Sequence, residues 1–365
     1  MVKKSLIAKK CNLKLLNNLI MPVNKIDTIK FLELSATIPV VDVRSPSEFR
    51  LGHIPGAIYI PLFNDDERAL VGTKYKKEGR LPAIIEGLRH TGPAMVSKLE
   101  QGLNTATDGR LLVHCWCGGM RSEAMAWLFS LGDIDVAVLD GGYKAYRRYI
   151  LGKLSEKRKM IVLGGMTGSS KSHILRYLGS AGHQVLDLEK LANHKGSAFG
   201  ALGQPPQPTT EQFANFLFKE WIRSDASKPC WVEDESRNIG SVFLPDQFYL
   251  NMQDTPVIVL VMDIKTRLPR LMEEYSKYPP ESLKASVLKI TKRLGGDNTR
   301  DAIEAIETGN IAKAIEISLN YYDKAYRFGL TRKESKNIIY VETDTDDIEV
   351  NAMKVLEAAR NIRWA

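Results

Sequence analysis

Residues 160–182 read "MIVLGGMTGSSKSHILRYLGSAG": an unbroken apolar run, a glycine-rich turn, then apolar positions at helical spacing. A strand that is apolar on both faces must be covered on both, the situation of a parallel sheet sandwiched between helices. The turn, Gly165–Ser172, sits between strand and helix as a phosphate-binding loop does. In such a loop the backbone N–H groups of Gly165, Thr167, Gly168 and Ser169 converge on phosphate oxygens and Lys171 adds a point charge. The Ser172 hydroxyl can reach a metal ion, for which Mg2+ is the expected cation. Ser170 departs from the pattern: a glycine is expected before the lysine, and a serine Cβ crowds the approach of a phosphate.

The same alternation extends in both directions. Further strands are expected at "HQVLDL", "PCWVED", "PVIVLVMD" and "NIIYVET", with helices around 210–224, 265–275, 282–294, 300–328 and 346–362. "WVEDES" brings Glu233, Asp234 and Glu235 to a strand end, where carboxylates hold a metal or cap the next segment. Upstream, "IPVVDV" and "GAIYIP" read as strands, "RLLVHC" and "DVAVLDGG" as two more, and "SEAMAWLFSLG" and "YKAYRRYIL" as helices. At 365 residues the chain exceeds one domain. The expected organisation is a lysine-rich extension over 1–24, a parallel α/β domain over 25–150, a basic connector over 151–159 and a second α/β domain over 160–365 with extra C-terminal helices.

The first domain carries its own strand-to-helix turn, "HCWCGGMRSEAMAWLF", with two of the chain's four cysteines. A thiol is nucleophilic only as thiolate, and converging amides plus the positive end of a helix favour that anion. Cys115 at the strand end is therefore the expected nucleophile. Trp116, Cys117, Gly118, Gly119 and Met120 form the loop, and Arg121, six positions after Cys115, is expected to supply a fixed cation to an anion cradle. Cys117 reads as a resolving thiol or, more simply, a loop residue; Asp42 and Arg44 read as a structural ion pair.

Net charge is +8, but residues 1–30 alone hold seven lysines against Asp27, so a polyanionic partner has to be argued from local patches. The best of these is Lys144, Arg147, Arg148, Lys153, Lys157, Arg158 and Lys159, a candidate nucleic-acid surface. No run of 18 apolar residues exists, no membrane role is expected, and the unevenly spaced cysteines suit a cytoplasmic protein with reactive thiols rather than a disulfide framework.

"VVDVRSPSEF", "GHIPGAIYIP" and the Cys115 loop resemble the rhodanese family, whose cysteine carries sulfur or selenium; rhodanese-like phosphatases share the Cys-x5-Arg loop, so this domain alone leaves both chemistries open. Two rarer stretches, "PLFNDDERALVGTKYKKEGRLPAI" and "LANHKGSAFGALGQPPQPT", together with "CWCGGMRS", "WVEDESRNIG" and "RLGG", resemble the tRNA 2-selenouridine synthase family. That resemblance implies replacement of sulfur by selenium in 2-thiouridine at the wobble position, 34, of tRNAs for lysine, glutamate and glutamine. It implies selenophosphate from a supplying enzyme as the donor, S-geranylation from geranyl diphosphate as an intermediate step, and no tightly bound cofactor. It places a diphosphate on Gly165–Ser172, leaves His194, Lys195 and Ser197 to line the diphosphate or tRNA site, and makes Trp221, Trp231, Tyr275 and Tyr278 candidate platforms for an anticodon base, although tryptophans are more often core. The family commonly reads "CWRGG" where this chain has Cys117. The competing reading is a rhodanese-like phosphatase or sulfurtransferase fused to an NTP-dependent kinase-like domain; a third is a chalcogen carrier joined to a non-catalytic tRNA-binding module.

Overall fold

The computed structural model describes residues 23–106, 108–331, 338–362 and 364. The extension expected over 1–24 lies outside them except for its last two residues. Asn24 already belongs to a strand and Val23 packs against a core, so the fold begins inside the stretch assigned to the extension. Two compact units divide at Gly152/Lys153. The stretch expected as a connector over 151–159 is partly helix, because Gly142–Ser155 is one continuous element.

The first unit holds β1 (Asn24–Ile26), β2 (Val40–Asp42), β3 (Ile58–Tyr59), β4 (Arg110–His114) and β5 (Asp135–Leu139) in the order β1-β5-β4-β2-β3, every pair parallel. Val41, Val113 and Val138 are fully buried and pack with Met125 and Phe129 of the helix Met120–Ser130. Three helices that the apolar pattern did not announce, Asp65–Glu78, Arg80–Thr91 and Met95–Thr105, fill the chain between β3 and β4. The first starts at a reciprocal cap: the Asn64 side chain accepts from the Glu67 N–H, and the Glu67 carboxylate from the Asn64 N–H, both at 2.9 Å.

The second unit holds β6 (Met160–Gly165), β7 (Gln184–Leu186), β8 (Cys230–Glu233), the short antiparallel pair β9 (Asn238–Ile239) and β10 (Val242–Phe243), β11 (Val257–Met262) and β12 (Ile338–Thr343). Its main sheet runs β12-β11-β6-β8-β7, all parallel. All six residues of β6 are buried, as its unbroken apolar run requires. Leu163 pairs with Glu233, so the phosphate loop and the β8 carboxylates emerge together at the carboxyl ends of the strands, where open α/β sheets bind ligands.

Two expected helices are each broken. The 282–294 segment forms Pro280–Leu288 and Thr291–Leu294, and the 300–328 segment forms Gly296–Glu307 and Ile311–Thr331, interrupted at Gly309 with φ of +77°. Their apolar faces bury Leu283, Val287, Ile306, Ile315 and Leu319 against Phe199 and Tyr275, a second core beside the sheet.

Candidate active sites

In the first unit β4 delivers Cys115 to the start of the helix Met120–Ser130. The thiol is 3% exposed, and its Sγ lies 3.2 Å from the Ser122 hydroxyl, which donates to the Gly119 carbonyl at 2.9 Å. The loop is clamped from behind: the Cys115 and Trp116 carbonyls accept from the amides of Tyr143 and Lys144 at 2.8 and 3.0 Å. Gly142 makes this approach possible. Its φ is +59°, and a Cβ there would fall 2.5 Å from the Cys115 carbonyl oxygen and 2.8 Å from the Cys117 nitrogen. Gly118, with φ of +64°, turns the loop, while Cys117 and Met120 are exposed.

Arg121 does not stand as a free cation facing the sulfur. Its guanidinium forms a fork with Glu48, Nη1–Oε2 2.5 Å and Nη2–Oε1 3.1 Å, with both side chains largely buried. Glu48 is fixed there because it also accepts from the Ser45 N–H at 3.0 Å in the capping box of the helix Pro46–Leu51. Burial alone would raise the Glu48 carboxyl; the hydrogen bonds and charge of Arg121 outweigh it and hold the group below its ordinary range. Asp42 and Arg44 form the structural pair expected of them, fully buried at 2.6 Å, with the Arg44 guanidinium over the Tyr143 ring. His114 is fully buried and burial pushes its imidazole down, so it serves packing beneath the loop.

In the second unit Gly165–Ser172 curls around the end of β6 and opens the helix Lys171–Ser180. The loop borders a cavity of about 1110 Å³ lined by Gly165, Thr167, Gly168, Ser170, Lys171 and Ser172. Ser170 takes the left-handed conformation, φ +64° and ψ 20°, that the missing glycine would have adopted freely. The hydroxyls of Ser169 and Ser170 are buried and unpartnered among the described residues. Lys171 Nζ donates to the Gly165 carbonyl at 2.8 Å, and the Ser172 hydroxyl to Glu189 at 2.6 Å.

Three residues that the sequence reading missed hold this loop. The Tyr326 hydroxyl accepts from the Gly165 N–H at 2.8 Å and donates to Asp234 at 3.0 Å; buried Arg267 donates to the Thr167 carbonyl at 2.8 Å and forks onto Asp323. They lie more than 90 residues from the loop, and no local pattern marks them. Glu189, also missed, completes a carboxylate cluster with Glu233 and Glu235. Burial, then mutual repulsion with Asp187 and Glu189, pushes Glu233 well above the carboxylate range. Burial, with Glu189 next, pushes Glu235 up to about 8, and burial also raises Glu189.

Asp234, Glu235, Lys195 and Ser197 line the cavity as expected, Lys195 paired to Glu274. Glu233 does not: it is fully buried below the cavity and accepts from the Leu188 N–H at 2.7 Å. His194 borders a different cavity, its ring accepting from the Gly196 N–H at 3.2 Å. Trp221 and Trp231 are buried and cannot serve as platforms; Tyr275 stacks on Phe199 and borders the phosphate-loop cavity. The basic stretch is partly spent on packing: Lys157 pairs with Asp254, Lys153 with Glu156, Lys159 lies over the Trp364 ring, and Arg158 sits over Trp221 while donating to its carbonyl. Lys144 and Arg148 are exposed. No helix among the described residues is long and apolar enough to cross a membrane.

Comparison with known proteins matches residues 28–149 to the rhodanese-like domain and residues 158–357 to the tRNA 2-selenouridine synthase AAA domain. A tRNA 2-selenouridine synthase from Nitrosomonas europaea is 33% identical over 361 residues, covering 84% of this chain and 93% of that one. One of the same name from Bdellovibrio bacteriovorus is 33% identical over 363 residues, covering 85% and 93%. Among solved structures, the N-terminal domain of an ATP/GTP binding protein from Clostridium difficile 630 is 34% identical over 36% of this chain and 99% of that one, with a TM-score of 0.33. With a thiol loop in the first unit, a phosphate loop in the second, and relatives aligned across both, the chain is an enzyme of the tRNA 2-selenouridine synthase family.

Proposed function

We propose that the chain exchanges sulfur for selenium in wobble-position 2-thiouridine, at position 34 of tRNAs for lysine, glutamate and glutamine, in two half-reactions divided between its units. The phosphate loop holds geranyl diphosphate. The bond from geranyl carbon to diphosphate oxygen breaks, and the thiocarbonyl sulfur of the uridine takes the geranyl group. The selenium of selenophosphate, handled at the Cys115 loop, then forms the new bond to the uracil carbon as geranylthiol leaves, and water takes the phosphoryl group from selenium, breaking the phosphorus–selenium bond and releasing inorganic phosphate. What supports this reading above an NTP-driven alternative is the apolar part of the lining: Leu271, Tyr275, Tyr321, Tyr322 and Leu330 border the same cavity as Lys171. Apolar and aromatic side chains in the same cavity as a phosphate-binding loop suit a ligand that joins a prenyl chain to a diphosphate.

Lys171 neutralises the developing charge of the leaving diphosphate with the remaining loop amides, since those of Gly165 and Ser169 already donate to the Tyr326 hydroxyl at 2.8 Å and the Met166 carbonyl at 3.1 Å. Ser172 and Glu189, 2.6 Å apart, are hard oxygen donors of the kind Mg2+ accepts, and the raised carboxylates around them would ionise beside a cation. Those two residues with Glu235 would hold the ion, which when bound adds charge neutralisation. The deciding experiment is mass spectrometry of nucleosides from 2-thiouridine tRNA incubated with the enzyme and each donor separately, then both. Geranylated nucleoside with geranyl diphosphate alone, and selenouridine only after selenophosphate joins it, are expected; selenouridine at full rate without geranyl diphosphate defeats the scheme.

A further inference from the structure

Beside the phosphate-loop cavity lies a second one of about 920 Å³, and the two share Gly196, Ser197, Ser236, Arg293 and Tyr322 as lining residues. Their charges differ sharply. Asp187, Glu189, Asp234, Glu235, Glu273 and Glu274 border the first cavity among its cations. The second is bordered by Lys289, Lys292 and Arg293 and, among the described residues, by no carboxylate.

The segment "LKITKRLGG" builds this one-sign wall from its spacing. Ile290 and Leu294 are 6% and 5% exposed and sink into the helical core, which turns Lys289, Lys292 and Arg293 outward. Neighbouring cations are neutralised, Lys284 by Glu281 and Glu307 and Arg300 by Asp297, whereas none of these three makes an ion pair among the described residues. Exposed Leu288 adds apolar surface on the same rim. Like charges held together without counter-charges raise the electrostatic energy of the empty fold, and a polyanion relieves it. A concave basic wall that leads directly to a phosphate-binding pocket fits a single-stranded nucleic-acid backbone.

We propose that this second cavity seats the single-stranded loop of the RNA substrate. Lys289, Lys292 and Arg293 contact its phosphates, and Ser197 and Tyr322 form the threshold across which the target base reaches the phosphate loop. The destination of the base rests on the two-step reading above; the RNA seat itself does not.

The test is binding of 2-thiouridine tRNA to the full chain, without either donor, by fluorescence anisotropy from about 50 to 200 mM salt. The triple variant Lys289→Gln, Lys292→Gln, Arg293→Gln should lose affinity roughly thirty- to a hundred-fold and flatten the slope of log K against log salt by about 2, the release expected from three phosphate contacts to a single strand. A charge-keeping triple, Lys289→Arg, Lys292→Arg, Arg293→Lys, should bind within about threefold of the parent. Affinity and slope unchanged in the glutamine triple overturns the proposal, as does equal loss in the charge-keeping triple. A loss found instead in Lys144→Gln, Arg148→Gln moves the RNA to the helix Gly142–Ser155 and overturns it too. Because no donor is present, a chain that makes no geranyl product but shows the expected loss refutes the two-step chemistry and leaves the RNA seat standing.

Discussion

The thiol loop and the phosphate loop share one local design, a parallel strand that ends in a glycine-bearing turn and opens a helix, but the surrounding fold treats their charges in opposite ways. Around Cys115 the charges are paired: Arg121 is forked onto Glu48, Arg44 onto Asp42, the loop carbonyls are bound from behind, and Cys115 is 3% exposed, although both His114 ring nitrogens are buried without a hydrogen-bond partner among the described residues. Around Lys171 the fold leaves a surplus. Three carboxylates are held above their ordinary range, two buried serine hydroxyls lack partners among the described residues, and the ammonium rests on a backbone carbonyl. Unsatisfied buried groups cost free energy in the empty fold, and that cost is removed when a ligand supplies the missing partner. In the scheme proposed above, the phosphate loop captures the ligand and the buried thiol loop handles selenium.

The largest effect expected is a clean separation of the two loops. Cys115→Ala should reduce selenation to background while geranylation continues. Lys171→Ala should lower geranylation about 10²- to 10³-fold, the usual cost of removing one preorganised charge, and spare selenation of tRNA that is already geranylated. Equal loss of both products from either variant, measured by nucleoside mass spectrometry, breaks the division.

Next is the fork. Glu48→Gln leaves Arg121 without its counter-charge and should destabilise the first unit by about 2 kcal/mol, measured by chemical denaturation. Glu48 titrates below its unfolded value of about 4.3, so its contribution is present above that pH and is lost as pH falls through the lower folded value. The variant should therefore lose the acid-side slope of stability; an unchanged slope between pH 5 and 3 refutes the claim that the pair neutralises the loop.

Glu235 has the opposite sign. Its carboxyl is pushed up to about 8, so its favourable contribution is intact below the unfolded value and is lost as pH rises from there through 8. Glu235→Gln should flatten this decline and stabilise the chain by about 1–2 kcal/mol at pH 9 in thermal or denaturant unfolding. A variant as pH-sensitive as the parent would show that the carboxylate cluster is not strained by its own charge.

The smallest effect is at Ser170. Ser170→Gly removes the cost of a left-handed non-glycine residue and should stabilise the second unit by about 1 kcal/mol, with tighter binding of inorganic diphosphate in calorimetry. Destabilisation together with weaker diphosphate binding would mean that the serine hydroxyl has a role in the loop that glycine cannot fill.

Most strands and both loops were legible in the sequence because the information is local: "MIVLGG" and "RLLVHC" carry an apolar run and the turn that ends it within a few residues. The helices of 65–105 were not legible. Asp65–Glu78 has almost no apolar face, and it is placed by its Asn64 cap and its packing neighbour Arg80–Thr91 rather than by periodicity. Ranges 282–294 and 300–328 were read as single helices because their apolar spacing continues across breaks made by backbone conformation alone. Of the site, Cys115, Lys171, Ser172 and the β8 carboxylates were found from motif context; Glu48 is marked locally only as the capping partner of Ser45, and Glu189, Arg267 and Tyr326 carry no local mark and reach their loop only through the fold.

By itself, then, the sequence determined that two strand-to-helix turns exist and which of their residues are a thiol, a lysine and glycines, since those demands are met within one turn of backbone. Only the tertiary structure decided how each turn is charged. Coulomb energy at 3 Å depends on which distant group is brought alongside and how much water is excluded, so Arg121 became neutralised, Glu235 became a weak acid, and Lys289, Lys292 and Arg293 were gathered without a counter-charge.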